Sequence, residues 1–181
     1  MSAPTRILVA GIGNIFFGDD AFGCEVVGEL LRRPLPEGVT VIDYGIRSYD
    51  LAYAIMEGYE ATILVDAVSR GQQPGTVFLI EPDVENLAAS DEIPNGHGLN
   101  PTSVLQMVRS MGGVARGLYL VGCEPAVLES DDGSMELSES VRAAVPHAVL
   151  LIQDLIRDLL KVESLTPASP DREGGDIHVL S

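Results

Sequence analysis

A chain of 181 residues fits one ordinary domain and is long enough to bury a substantial core without covalent or metal staples. Acidic residues outnumber basic ones 27 to 11, and the resulting formal net charge of -16 repels the polyanionic backbone of nucleic acid, so a nucleic-acid partner is excluded. The two cysteines, Cys24 and Cys123, lie far apart without C-x-x-C spacing, which argues against a zinc or redox motif and for a reduced, intracellular protein with each thiol packed as a small core residue.

The N-terminal MSAPTRILVAGIGN meets glycine too early to be a secretory leader, and no run is long enough to span a bilayer. The expectation is a cytoplasmic protein without membrane insertion. RILVAGIG is the first predicted strand, and CEVVGELLRR, with Val26, Val27, Leu30 and Leu31 on one face, the first helix. VTVIDYG, LAYAIMEG and ATILVDAV follow as strand, helix and strand, then GTVFLIEP as a strand at or near an edge. A helix is predicted from NPTSVLQMVRSMG, with Asn100 as its cap and Pro101 at its first position, before the strand GLYLVGCE. The last helix starts near Ser138 and runs through VRAAVPHAVLLIQDLIRDLLKV, with Pro146 expected to kink or split it. The strand runs are apolar throughout instead of alternating, which is how strands buried on both faces of a parallel sheet read. The predicted fold is therefore an α/β sheet covered by helices on both faces, one domain over residues 1–161, followed by a mobile tail over 162–181 that is rich in proline, glycine and charge.

The stretch GIGNIFFGDDAFG has the Gly13 and Gly18 spacing of a phosphate-cradling loop, but Asp19 and Asp20 stand where lysine and a hydroxyl belong. Paired aspartates would push a pyrophosphate away, so this loop is read as one that holds a cation. Ligands of open α/β sheets bind beyond the carboxyl ends of the strands, and carboxylates collect there: Asp19 and Asp20, Asp43, Asp66 and Glu124. Each has a plainer explanation, Asp19 or Asp20 as a helix N-cap and Asp43 or Asp66 in an Asx turn. Together they would repel one another unless a cation or a shared proton neutralised them. His97, in the glycine-flanked PNGHGLNP, can swing toward the same rim, whereas His147 sits in a helix and His178 in the tail. Two carboxylates with one imidazole form an open three-ligand set suited to zinc, nickel or manganese.

These residues resemble the hydrogenase maturation endopeptidases, which trim the C-terminal extension from the large subunit of nickel-iron hydrogenases. The likeness runs through ILVAGIGNIFFGDDAFG, ILVDAV, the P-G-T of residues 74–76, the His97 segment, and GCEP with Glu129, Gly133, Leu137 and Ser138. It implies a three-layer α/β/α sandwich with a twisted, mostly parallel central sheet, and metal ligation by Asp20, Asp66 and His97. It also implies that nickel arrives with the large-subunit precursor, zinc or cadmium standing in for it in vitro, and that the enzyme probes the loaded ion before cutting. Asp43 is the candidate general base or orienting group. Where many relatives have D-G-G-T after the second strand, this chain has Asp43-Tyr44-Gly45-Ile46 and then Arg47, and a bulky tyrosine with a cation is expected to alter the groove for the extension. The alternatives from other classes are a nucleotide-binding α/β module and a nickel-loading sensor that does not cut.

Overall fold

The computed structural model describes residues 5–82, 101–126 and 135–164. Five strands, β1 (Ile7–Ile12), β2 (Val39–Gly45), β3 (Ala61–Ala67), β4 (Val77–Ile80) and β5 (Gly117–Cys123), form one sheet in the order β2-β1-β3-β5-β4. All pairs are parallel except β4 with β5; β4, the strand expected at or near an edge, is one edge, and β2, expected to be buried on both faces, is the other and is only partly buried. β1 and β3 are buried along their whole lengths, as their unbroken apolar runs require.

Side chains alternate across the pleat, so each central strand feeds two cores. Ile7, Val9, Ile63 and Val65 pack with α1 (Phe22–Leu31) and the last helix, while Leu8, Ala10, Ile12 and Leu64 pack with α2 (Ser48–Met56) and α3 (Pro101–Ser110). Helices on both faces make the three-layer α/β/α sandwich. Pro101 opens α3 as its missing N–H allows, and Asn100 lies outside the described residues.

The last helix, α4, is one continuous element from Glu139 to Ser164 and therefore passes Lys161. Pro146 does not split it. Val141, Ala144, Val145, Ala148, Val149, Ile152 and Ile156 make a buried stripe at helical spacing, and Pro146 falls on the exposed side of it. Proline there, through the lost hydrogen bond and the clash of its ring with the preceding turn, costs about 3 kcal/mol, whereas each large side chain of the stripe contributes about 1.5–3 kcal/mol by burial. Ser138 caps this helix, its Oγ accepting the Val141 N–H at 3.4 Å. Among the described residues no helix is long and apolar enough to cross a membrane.

Helix α1 packs very closely on the two central strands. A Cβ on Gly23 would lie 2.1 Å from the Val65 carbonyl oxygen and 2.2 Å from that of Ile12, and one on Gly11 would lie 2.7 Å from the Gly23 carbonyl. Gly23→Ala should therefore lower stability by at least about 2 kcal/mol, because the backbone must move to admit the methyl group. Gly28→Ala on the same helix, with nothing within 4 Å, should raise it by up to about 1 kcal/mol. Denaturant midpoints of the two variants that shift in the same direction would contradict this packing.

Candidate active site

β1 and β3 are neighbours, but the chain leaves β1 for β2 on one side and leaves β3 for β4 and then β5 on the other, so the crevice beyond their carboxyl ends is a topological switch point. Two carboxylates occupy it. Gly13, at φ +136° and with space for a Cβ closed by the Asp20 carbonyl oxygen at 1.8 Å, turns the chain sharply off β1. The chain then doubles back into a 3-10 turn, Gly18–Ala21, where the Asn14 N–H donates to Asp20 Oδ2 at 2.8 Å. Gly13 thus serves close backbone packing.

Asp66 is the penultimate residue of β3 and only 5% exposed. Burial, then the charge of Asp20, raise its pKa well above the carboxylate range, and the Ala67 N–H only partly opposes them. Burial also raises Asp20, against the Asn14 hydrogen bond. Asp43 stands exposed at the end of β2, where Oδ1 accepts the Gly45 N–H at 2.9 Å in an Asx turn.

Cys24 lies buried in the first turns of α1, as expected of a core thiol, but the core there is the floor of this site. Burial, a hydrogen bond to Asp43 and the charges of Asp43, Asp20 and Asp66 push its pKa up to about 12. Cys123 is pushed up to about 11, chiefly by burial. Both remain thiols at neutral pH and neither is an activated nucleophile. The signal for Cys24 was its position four residues after Asp20, one helical turn on.

The other two expected rim carboxylates have structural roles. Asp19, 1% exposed, accepts the Ala126 N–H at 2.8 Å, the Ser138 N–H at 2.7 Å and the Ser138 hydroxyl at 2.9 Å, tying the β1 loop to the start of α4. Neither Asp19 nor Asp20 caps α1: its N-cap is Ala21, with no side-chain bond. Glu124, 4% exposed, turns to the loop after β3. Burial acts to raise its pKa, but the N–H groups of Arg70, Gln72 and Gly71 and the Ser69 hydroxyl together lower it.

The expectation for Tyr44 is corrected. Its ring is 5% exposed in the core with Leu51, Ala52 and Ile55, so it lines no groove, and Arg47 folds back to donate to the Tyr44 and Asp43 carbonyls. His147 lies exposed on α4. His97 and His178 lie outside the described residues, as do Glu129, Gly133 and the tail from residue 165. Among the described residues no three histidine, cysteine or acidic side chains are grouped to hold a metal. Asp20 and Asp66 supply two oxygen donors whose mutual repulsion a cation would relieve.

A family model of hydrogenase maturation proteases matches residues 24–155. The hydrogenase 2 maturation protease of Escherichia coli is 32% identical over 155 residues, 84% of this chain and 92% of the relative. Among solved structures, the hydrogenase maturating endopeptidase HybD of E. coli superposes with a TM-score of 0.72 at 30% identity, covering 86% of this chain and 94% of that one. The nickel-iron hydrogenase maturation protease HycI of Thermococcus kodakarensis does so with a TM-score of 0.61 at 27% identity, covering 88% and 95%. The α/β sandwich with an acidic crevice at its switch point is thus that of a hydrolase of the endopeptidase class. The chain belongs to the hydrogenase maturation protease family.

The raised Asp66 pKa links stability to pH through one carboxyl proton. The folded state holds the proton more tightly than the unfolded chain, so the stability associated with protonated Asp66 is fully present below about pH 4 and is lost as pH rises through the folded value. Asp66→Asn should therefore melt higher than the wild type at pH 7 in the absence of metal, by on the order of several °C, and the gap should close as the pH falls toward about 4. A lower melting temperature for the variant at pH 7 would show that ionised Asp66 is stabilised by groups other than those named.

Proposed function

We propose that this protease removes the C-terminal extension of a nickel-iron hydrogenase large-subunit precursor after nickel has been inserted. The observation that carries this reading is the pair Asp20 and Asp66, two carboxylates with raised pKa values held together in the switch-point crevice of a family of proteases. Such a pair is a poor resting arrangement and a good receptor for a cation brought from outside. His97, in the segment between β4 and α3, is proposed as the third donor.

In this reading nickel is part of the substrate, held by the precursor's thiolates. Asp20, Asp66 and His97 complete its coordination and so fix the scissile carbonyl against the crevice, where the ion can polarise it and lower the pKa of an attacking water. Asp43 is proposed to orient that water or accept its proton. It stands at the end of the strand beside β1, close enough to the crevice for its side chain to act on Cys24. The protonated thiols of Cys24 and Cys123 support attack by water and not by a cysteine. A site with mixed oxygen and nitrogen donors would by affinity alone prefer copper, so selectivity for nickel comes from what the precursor delivers.

Asp20→Asn, Asp66→Asn and His97→Ala should each slow processing of the nickel-loaded precursor by at least about 100-fold, beyond what loss of an outer-shell partner costs. Circular dichroism should show each variant folded. Asp43→Asn should lower the rate while precursor capture persists. Near wild-type processing by all three ligand variants would refute the ligand assignment.

A further inference from the structure

Three consecutive large apolar side chains, Ile15, Phe16 and Phe17, are 53%, 63% and 50% exposed. They sit on the loop between Gly13 and the 3-10 turn that carries Asp20. That loop is tightly hydrogen-bonded: Phe16 N–H to Asn14 Oδ1 at 3.0 Å, Phe17 N–H to the Asn14 carbonyl at 3.1 Å, Asp20 N–H to the Phe17 carbonyl at 3.0 Å, and Asn14 N–H to Asp20. The bonds that position Asp20 thus also hold the backbone from which these exposed side chains project. Just beyond the neighbouring strand β2, Ile46 is 67% exposed and, on the following helix α2, Tyr49 and Tyr53 are 65% and 60% exposed; the Gly13 N–H bond to the Gly45 carbonyl at 3.1 Å ties the two strand ends together. Folding alone gains nothing from six such exposed side chains on the segments that follow two adjoining strand ends.

We infer that this apolar ridge is the surface on which the enzyme docks the folded body of its precursor substrate, as distinct from the extension that is cut off. The inference rests on the reading that a hydrogenase large-subunit precursor is the substrate. The loop is continuous with Asp20, so a protein that presents a bond to Asp20 and Asp66 meets Ile15, Phe16 and Phe17 in the same encounter. Side chains half or more exposed on a loop and a helix form a ridge, which fits an apolar recess of a folded protein; an extended peptide takes a groove or a sheet edge. Phenylalanine and tyrosine are also the residues that interfaces favour. A net charge of -16 opposes the other common acceptor of such a ridge, an anionic membrane surface.

The test uses the full chain and purified nickel-loaded precursor, with Phe16→Ser/Phe17→Ser and, on the second strand end, Ile46→Ser/Tyr49→Ser. Each double variant should raise KM by at least about tenfold while kcat stays within about twofold, as expected when docking contacts are lost and chemistry is kept. Added to the cleavage-deficient Asp20→Asn enzyme, each should weaken precursor capture by a similar factor. If the wild type does not cut the precursor at all, the substrate reading falls and this inference with it. If the wild type cuts and both double variants keep its KM, this inference alone is overturned. It is also overturned if the wild type is a dimer that the double variants convert to monomer, or if it binds phosphatidylcholine–phosphatidylserine vesicles through these residues.

Discussion

The site depends on one contact, the approach of the Gly23 backbone to the carbonyl oxygens of Ile12 and Val65. Helix α1 begins with the Gly23 backbone against the ends of the two central strands, at a distance no side chain would permit. Gly11 lets the same helix settle on β1, and Gly13 lets the intervening loop turn back over the strand end. The consequence is positional. Asp20 is carried on the turn that precedes α1, and Asp66 at the end of β3, so bringing the helix onto both strands brings the two carboxylates into one crevice.

That proximity is costly for the resting protein. Burial and the neighbouring charge raise the Asp66 pKa, and the single backbone donor from Ala67 does not compensate. Asp19, one residue before Asp20, shows the contrast: it is more deeply buried but accepts three hydrogen bonds, each of the kind that contributes about 1.5–3 kcal/mol to a charged acceptor. Asp19 holds the fold together, whereas among the described residues Asp20 accepts from the Asn14 N–H and Asp66 from the Ala67 N–H. Under-compensated acids are where a cation gains most, and functional sites commonly retain such local instability.

Much of this was legible in the amino-acid sequence. Apolar runs without alternation identified the buried central strands β1 and β3 but also suggested burial for β2, which is a partly buried edge; Asp20, Asp43 and Asp66 were readable because each comes after or at the end of such a run. What escaped the reading depends on contacts between distant parts of the chain. Ala126 and Ser138, which claim Asp19, are 107 and 119 residues away from it, and nothing local distinguishes the two aspartates of the pair. Glu124 follows its strand as Asp66 nearly ends its own, yet the loop after β3 surrounds it with donors. Tyr44 looked like a groove residue because it replaces a glycine of the family pattern, but the pleat turns its ring inward. Pro146 looked like a helix break because proline usually is one, and the buried stripe on either side of it holds the helix together.

The central claim is that this site is incomplete until the substrate brings the ion. The most direct measurement is the intact mass of precursor incubated with metal-stripped wild-type enzyme, with the precursor either loaded with nickel or free of it. The account predicts that the loaded precursor loses a single C-terminal fragment and that the nickel-free precursor stays intact even with excess enzyme. Efficient cutting of the nickel-free precursor would contradict it and point to a protease whose catalytic centre is complete on its own.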